Sequence, residues 1–211
     1  MLLIARWHAD SADEGDIRMT LSSLSEQFFS SGETKSTNGQ KARARYNAGG
    51  IVHESVNGFP SLFDEALPVF RSAVRHNDCL TAASFAMLAR LMQTVEDTTT
   101  LHRAGSKGLA RVKSDGQQLS QIIAEGGDYL SYLGELNRSY VRMNITIGGV
   151  ADMLGLTYGF LIASGEISVG DDLRIPARPA CIQVDTLTSS DGASQTNVYE
   201  DLEACRVEIA Y

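Results

Sequence analysis

The chain has 211 residues, 43% hydrophobic and 21% charged, enough apolar material for one good-sized core or a core with an appendage. A formal net charge of -8 argues against nonspecific binding to nucleic acid or acidic membranes, which reward positive charge, and leaves open a local basic pocket for phosphates. No apolar run is long enough to span a bilayer, and the opening residues 1–8 are too short and lack the basic start of a secretory signal. Cys79, Cys181 and Cys205 have no metal-ligand spacing. Their odd number, with Cys79 in an apolar helical stretch, suggests reduced thiols and a cytoplasmic setting; Cys181 could pair with Cys205, but nothing in the sequence requires it.

In chain order, 10–16 is acidic and polar and reads as a loop. Ile17, Leu21, Leu24 and Phe28 then fall at helical spacing, which predicts an amphipathic helix over 17–29, broken at Ser31-Gly32. Lys41, Arg43 and Arg45 make the next helical stretch basic, either a phosphate-facing patch or a solvated face. Residues 49–60 read as a loop with glycine breaks, and Pro60 suits the first turn of a helix that Pro68 should kink or restart.

The organising stretch is 78–96, which is rich in Ala, Leu and Met and apolar on nearly every face, so a buried central helix is predicted. Its end delivers Glu96, Asp97, three threonines, His102 and Arg103, either a solvated helix end or a functional cluster. Further helices are predicted over 109–124, ended by Gly126-Gly127, over 130–143, and over 150–163, the last with Asp152 in its first turn. Glycines 148 and 149 at that helix start would let a ligand approach the backbone. Beyond 165 helical periodicity is lost. The predicted fold is mainly α, a multi-helix bundle with a buried central helix over 1–164, followed by a β-rich or irregular appendage over 165–211 of unknown role.

Four stretches share a further pattern. Glu54, Gly58, Phe59 and Pro60 form a glycine-rich loop with a glutamate, ending Gly-Phe-Pro, and Ala66-Leu67-Pro68 follows it. Asp97-Thr98 precedes Leu101-His102-Arg103-Ala104-Gly105, and Asn144 to Leu154 contains Gly148-Gly149 and Asp152. In order and spacing, over about 37–163, these resemble the triphosphoribosyl-dephospho-CoA synthase family. The chain departs from the family pattern at Val52 and His53, where a loop arginine is usual, and at Thr99, Ala104, Ile147 and Val150. The Pro-Lys-Pro-Gly, Gly-Ala-His-x-Asp and Asn-Thr-His-Lys-Gly motifs of the family's first half are not in this sequence, so the chain is expected to be the C-terminal part of the family domain.

The resemblance implies a transferase that moves the triphosphoribosyl group of ATP to the ribose 2′-hydroxyl of 3′-dephospho-CoA and releases adenine. The product is the prosthetic-group precursor for the acyl carrier of citrate lyase or malonate decarboxylase, with His53-Glu54-Ser55 and Ser61-Leu62-Phe63 closer to the malonate branch. Cleavage at an anomeric carbon passes through a sugar cation, which a carboxylate stabilises while accepting the attacking hydroxyl's proton. Glu54 and Asp97 are the implied catalytic carboxylates. Asp97 and Asp152 are the implied ligands of a magnesium ion accompanying the triphosphate. His102, Arg103, Gly148 and Gly149 are the implied substrate contacts. ATP and 3′-dephospho-CoA are the expected partners, with a homo-oligomer possible in principle and neither nucleic acid nor membrane expected. Two other readings stay open: an inactive truncated relative, and a different all-helical, magnesium-dependent enzyme acting on nucleotides or ADP-ribose.

Overall fold

Helix α5, Leu80–Thr94, runs through the middle of the core, with no exposed residue. The computed structural model describes residues 13–30, 37–76 and 80–167. Within them α1 is Glu14–Ser30, α2 Asn38–Tyr46 and α3 Gly50–Val56. A π-helical turn, Ser61–Ala66, runs into α4, Leu67–Arg75. After α5 come α6, Thr98–Ala124, α7, Tyr129–Met143, and α8, Gly148–Ala163. Every regular element among the described residues is helical, as the sequence predicts. The expected appendage, all three cysteines and residues 1–12 lie outside the described residues, save for the short stretch 165–167. No helix among the described residues is long and apolar enough to cross a membrane.

Ala83, Met87, Ala89, Leu91 and Met92 of α5 are buried, and the helix packs against the π-helical turn, α4, α6 and α8. Its approach to α6 is close enough to need a glycine. A Cβ at Gly116 would lie 2.7 Å from Met92 Cβ and 2.8 Å from the Ala89 carbonyl oxygen. Only the N-terminal half of the predicted stripe on α1 reaches the core: Ile17 is buried and Leu21 packs against it, whereas Leu24 and Phe28 are exposed.

Four sequence expectations are corrected. The predicted loop at 10–16 is shorter, because Asp13 caps α1 by accepting the Asp16 N–H at 2.9 Å. The predicted loop at 49–60 contains α3, which Gly50 starts with φ +52°. The helix expected to begin at 109 begins at Thr98, because Asp97 caps it and Gly105 bends it without ending it (φ 68°, ψ -169°). Helix α8 starts at Gly148, which places Asp152 beyond the first turn. Pro68 does mark a restart, since α4 resumes ordinary helical pairing after the π-helical turn.

The Gly58-Phe59-Pro60 corner has two consecutive left-handed residues, Gly58 at φ 70° and Phe59 at φ 58°. A phenylalanine adopts this conformation only when its surroundings enforce it. Phe59 is buried, donates its N–H to the Glu54 carbonyl at 2.6 Å, and accepts from the Leu62 and Phe63 amides at 3.0 Å.

A polar group fixes α6 to α7. Asp115, buried, accepts from Arg111 Nε at 2.8 and 2.7 Å and from the Tyr140 hydroxyl at 3.0 Å. Burial, reinforced by the Asp115 charge, pushes the Tyr140 hydroxyl well above the usual tyrosine range. The folded state therefore favours the neutral phenol; that stability is present below the unfolded pKa of about 10 and is lost progressively above it, as pH rises toward the raised folded value. Urea melts should show Tyr140→Phe slightly less stable at neutral pH, by about 1 kcal/mol for the lost hydrogen bond. The variant should also have a flatter decline in stability above about pH 10 than the wild type.

Candidate active site at the Asp97 turn

The connection between α5 and α6 is three residues long, 95–97, and its last residue organises the region. Asp97 has extended backbone (φ -69°, ψ 103°) and its carboxylate is fully buried. Oδ1 accepts the Thr99 and Thr100 amides at 2.8 and 2.9 Å, capping α6. Oδ2 accepts the Val150 amide in the first turn of α8 at 3.0 Å. Ile147, which precedes α8, supplies no side-chain cap, so Asp97 performs that function from a distant part of the chain. A single charge thus lies at the N-termini of two helices, where both dipoles favour an anion. Thr100 adds a hydroxyl bond to the Thr146 carbonyl at 2.6 Å.

Glycines allow this convergence. A Cβ at Gly149 would meet Asp97 Cγ at 3.1 Å, and one at Gly148 would meet Thr99 Oγ1 at 3.1 Å. On the opposite side, a Cβ at Gly50 would lie 2.6 Å from Thr98 Cγ2. Glu96 Oε2 accepts the Gly49 amide at 2.8 Å. A Cβ at Gly105 would lie 3.3 Å from the Tyr46 hydroxyl. The turn 96–100 is therefore in contact with α2, the head of α3 and the head of α8. Glu96, Thr99, His102 and Arg103 are exposed. The Gly148 and Gly149 amides make no hydrogen bond among the described residues, and neither Arg103 nor Arg43 makes a salt bridge there.

Residues 4–168 match the profile of CitG, described as ATP:dephospho-CoA triphosphoribosyl transferase. The chain belongs to that family. It is 34% identical over 124 residues to the probable 2-(5″-triphosphoribosyl)-3′-dephosphocoenzyme-A synthases of Streptococcus pyogenes serotype M5 (strain Manfredo) and serotype M1. The match covers 59% of this chain and 42% of each relative, so it spans less than half the length of these curated proteins. No solved structure matches the chain.

In this member of the triphosphoribosyl transferase family, the residues singled out by sequence have distinct surroundings. Asp97, Gly148 and Gly149 are in direct contact. His102 and Arg103 follow on the exposed side of α6, before its bend at Gly105. Glu54 belongs to another turn. Its carboxylate accepts the Ser61 amide at 3.1 Å and the Ser61 hydroxyl at 2.5 Å, closing the Gly58-Phe59-Pro60 corner. Asp152 is exposed on α8.

A magnesium ion on Asp97 does not fit this arrangement. The side chain has no solvent exposure and its two oxygens already receive three backbone N–H groups, whereas magnesium needs carboxylate oxygens open to its own hydration shell. Among the described residues no three His, Cys, Asp or Glu side chains are grouped to hold a metal. Gly49 did not emerge from sequence reasoning as a site residue, and Glu96 emerged only as a member of the polar cluster at the end of the central helix. The signal available for Glu96 was its position beside Asp97, since neighbours in extended backbone face opposite ways.

Removing the Asp97 side chain leaves buried amides at the heads of two helices without an acceptor, each costing about 1–3 kcal/mol. Asp97→Ala is expected to lose at least about 2 kcal/mol in a denaturant melt, and Asp97→Asn, whose amide oxygen can still accept, distinctly less.

Proposed function

We propose that this protein takes part in transferring the triphosphoribosyl group of ATP to the 2′-hydroxyl of 3′-dephospho-CoA, with release of adenine. The observation that carries the reading is the family match over 4–168, which includes the Asp97 turn and both helix heads it caps. The names of the Streptococcus relatives point to the same synthase chemistry. In this reading the product is the prosthetic-group precursor of an acyl carrier, that of malonate decarboxylase or citrate lyase, and the protein works in the cytoplasm.

The chain's own residues support specific tasks. Arg103, exposed and without a salt bridge among the described residues, presents a planar fork suited to phosphate oxygens. His102 is its exposed neighbour on α6 and adds a second nitrogen donor for the same group. At the head of α8 the Gly148 and Gly149 amides provide backbone donors and the positive end of a helix dipole. In this scheme Asp97 and Glu54 act as positioning residues. Asp97 holds the two helix heads at a fixed separation, and Glu54 fixes the Gly-Phe-Pro corner. Binding energy from the triphosphate, remote from the bond that breaks, would hold the sugar for attack.

The test is a chromatographic assay for adenine with ATP supplied in the presence and absence of 3′-dephospho-CoA. Adenine should form only with the acceptor, and release without it would contradict the reading. Arg103→Ala is expected to raise KM for ATP by about 10–100-fold, the worth of a charge-assisted hydrogen bond, with no change in melting temperature.

A further inference from the structure

We propose that Glu96 is the carboxylate that meets the reacting sugar and acceptor hydroxyl; this rests on the transferase reading above. The transfer calls for an oriented, accessible carboxylate, and the candidates differ sharply in whether they can supply one. Asp97 is fully buried and bonded to three amides. Glu54 is bonded to Ser61 through both of its oxygens. Asp152 is exposed on α8, with no hydrogen bond or salt bridge among the described residues to aim it.

Glu96 meets both requirements. The extended backbone that turns Asp97 inward turns its neighbour outward, and Glu96 is exposed. Its Oε2 is fixed by the Gly49 amide at 2.8 Å, which restricts the side chain while preserving its negative charge. Its Oε1 has no partner among the described residues. Gly49 is the hinge of this placement. A Cβ there would lie 2.4 Å from the Cβ of His53, so a side chain at 49 would clash with His53 and come into contact with Glu96 Oε2 at 3.4 Å. Glu96 thus stands exposed at the α3 head, on the same turn as Asp97 and Thr99, which contact Gly149 and Gly148 of the α8 head.

In the proposed step the bond between the anomeric carbon and adenine breaks, its electron pair leaves with adenine, and adenine takes up a proton from water. The acceptor's 2′-oxygen forms the new bond to the anomeric carbon, and its proton passes to Glu96, which returns it to water. The negative charge of Glu96 meanwhile stabilises the positive charge that develops on the sugar.

The experiment measures adenine release and product formation by the full chain, the wild type beside Glu96→Gln, Glu96→Asp and Glu96→Ala. Glutamine keeps an oxygen for the Gly49 amide and loses the charge. Glu96→Gln should lower kcat by about 100–10,000-fold while KM for ATP and the melting temperature stay near wild type. Glu96→Asp, which restores the charge, should recover part of the rate, a recovery that a purely structural bond to Gly49 would not give. A Glu96→Gln variant that turns over at the wild-type rate overturns the role of Glu96 alone. The same holds if Glu96→Gln does not fold and Glu96→Ala, though folded, turns over at the wild-type rate. Wild-type protein that releases no adenine with both substrates present overturns the transferase reading and this proposal with it.

Discussion

One buried carboxylate holding two helix heads is the constraint on which the rest of this structure depends. Burying an ionised side chain is costly, and it persists only where hydrogen bonds replace the lost water. Asp97 receives that replacement from the amides of Thr99, Thr100 and Val150, and from the positive ends of α6 and α8. The bond to Val150 joins positions 53 residues apart, so the arrangement forms only when the whole helical core closes. A stabilising contact of this kind also defines a place. It sets where the free amides of Gly148 and Gly149 lie relative to His102 and Arg103.

The glycines follow from that constraint. Gly149 and Gly148 leave room for Asp97 and Thr99, Gly50 leaves room for Thr98, and Gly105 bends α6 next to Tyr46. Each is explained by close approach or by positive φ before any ligand is considered. The same residues leave the amides at the head of α8 without hydrogen-bond partners among the described residues, so close packing and the proposed anion site share one cause. This also separates positioning from chemistry among the acidic groups. The inward carboxylates build the frame, and the outward one on the same turn remains available.

Much of the fold was legible in the sequence. The all-round apolar character of α5 correctly marked the buried axis, and Gly126-Gly127 and Pro68 marked real boundaries. What was not legible depended on tertiary partners. The head of α6 looked like a polar loop because its cap is Asp97 and its bend is absorbed at Gly105. Helix α3 looked like a loop because a glycine at each end of the motif suggests breaks more strongly than a seven-residue helix suggests itself. At the candidate site, the motifs pointed to the Asp97 turn, but residue type could not distinguish a carboxylate occupied by amides from one facing outward. Asp97 and Glu96 are adjacent and chemically alike, yet one is buried and bonded to three amides and the other is exposed with one amide partner.

The bond between Asp97 and the Val150 amide is tested directly by hydrogen exchange measured residue by residue by NMR. Amides in the first turn of a helix ordinarily exchange quickly, because they have no partner within the helix. Here the Val150 amide should exchange as slowly as those in the middle of α5, and Asp97→Ala should accelerate it together with Thr100. Rapid exchange at Val150 in the wild-type protein, matching a frayed helix end, would contradict the account.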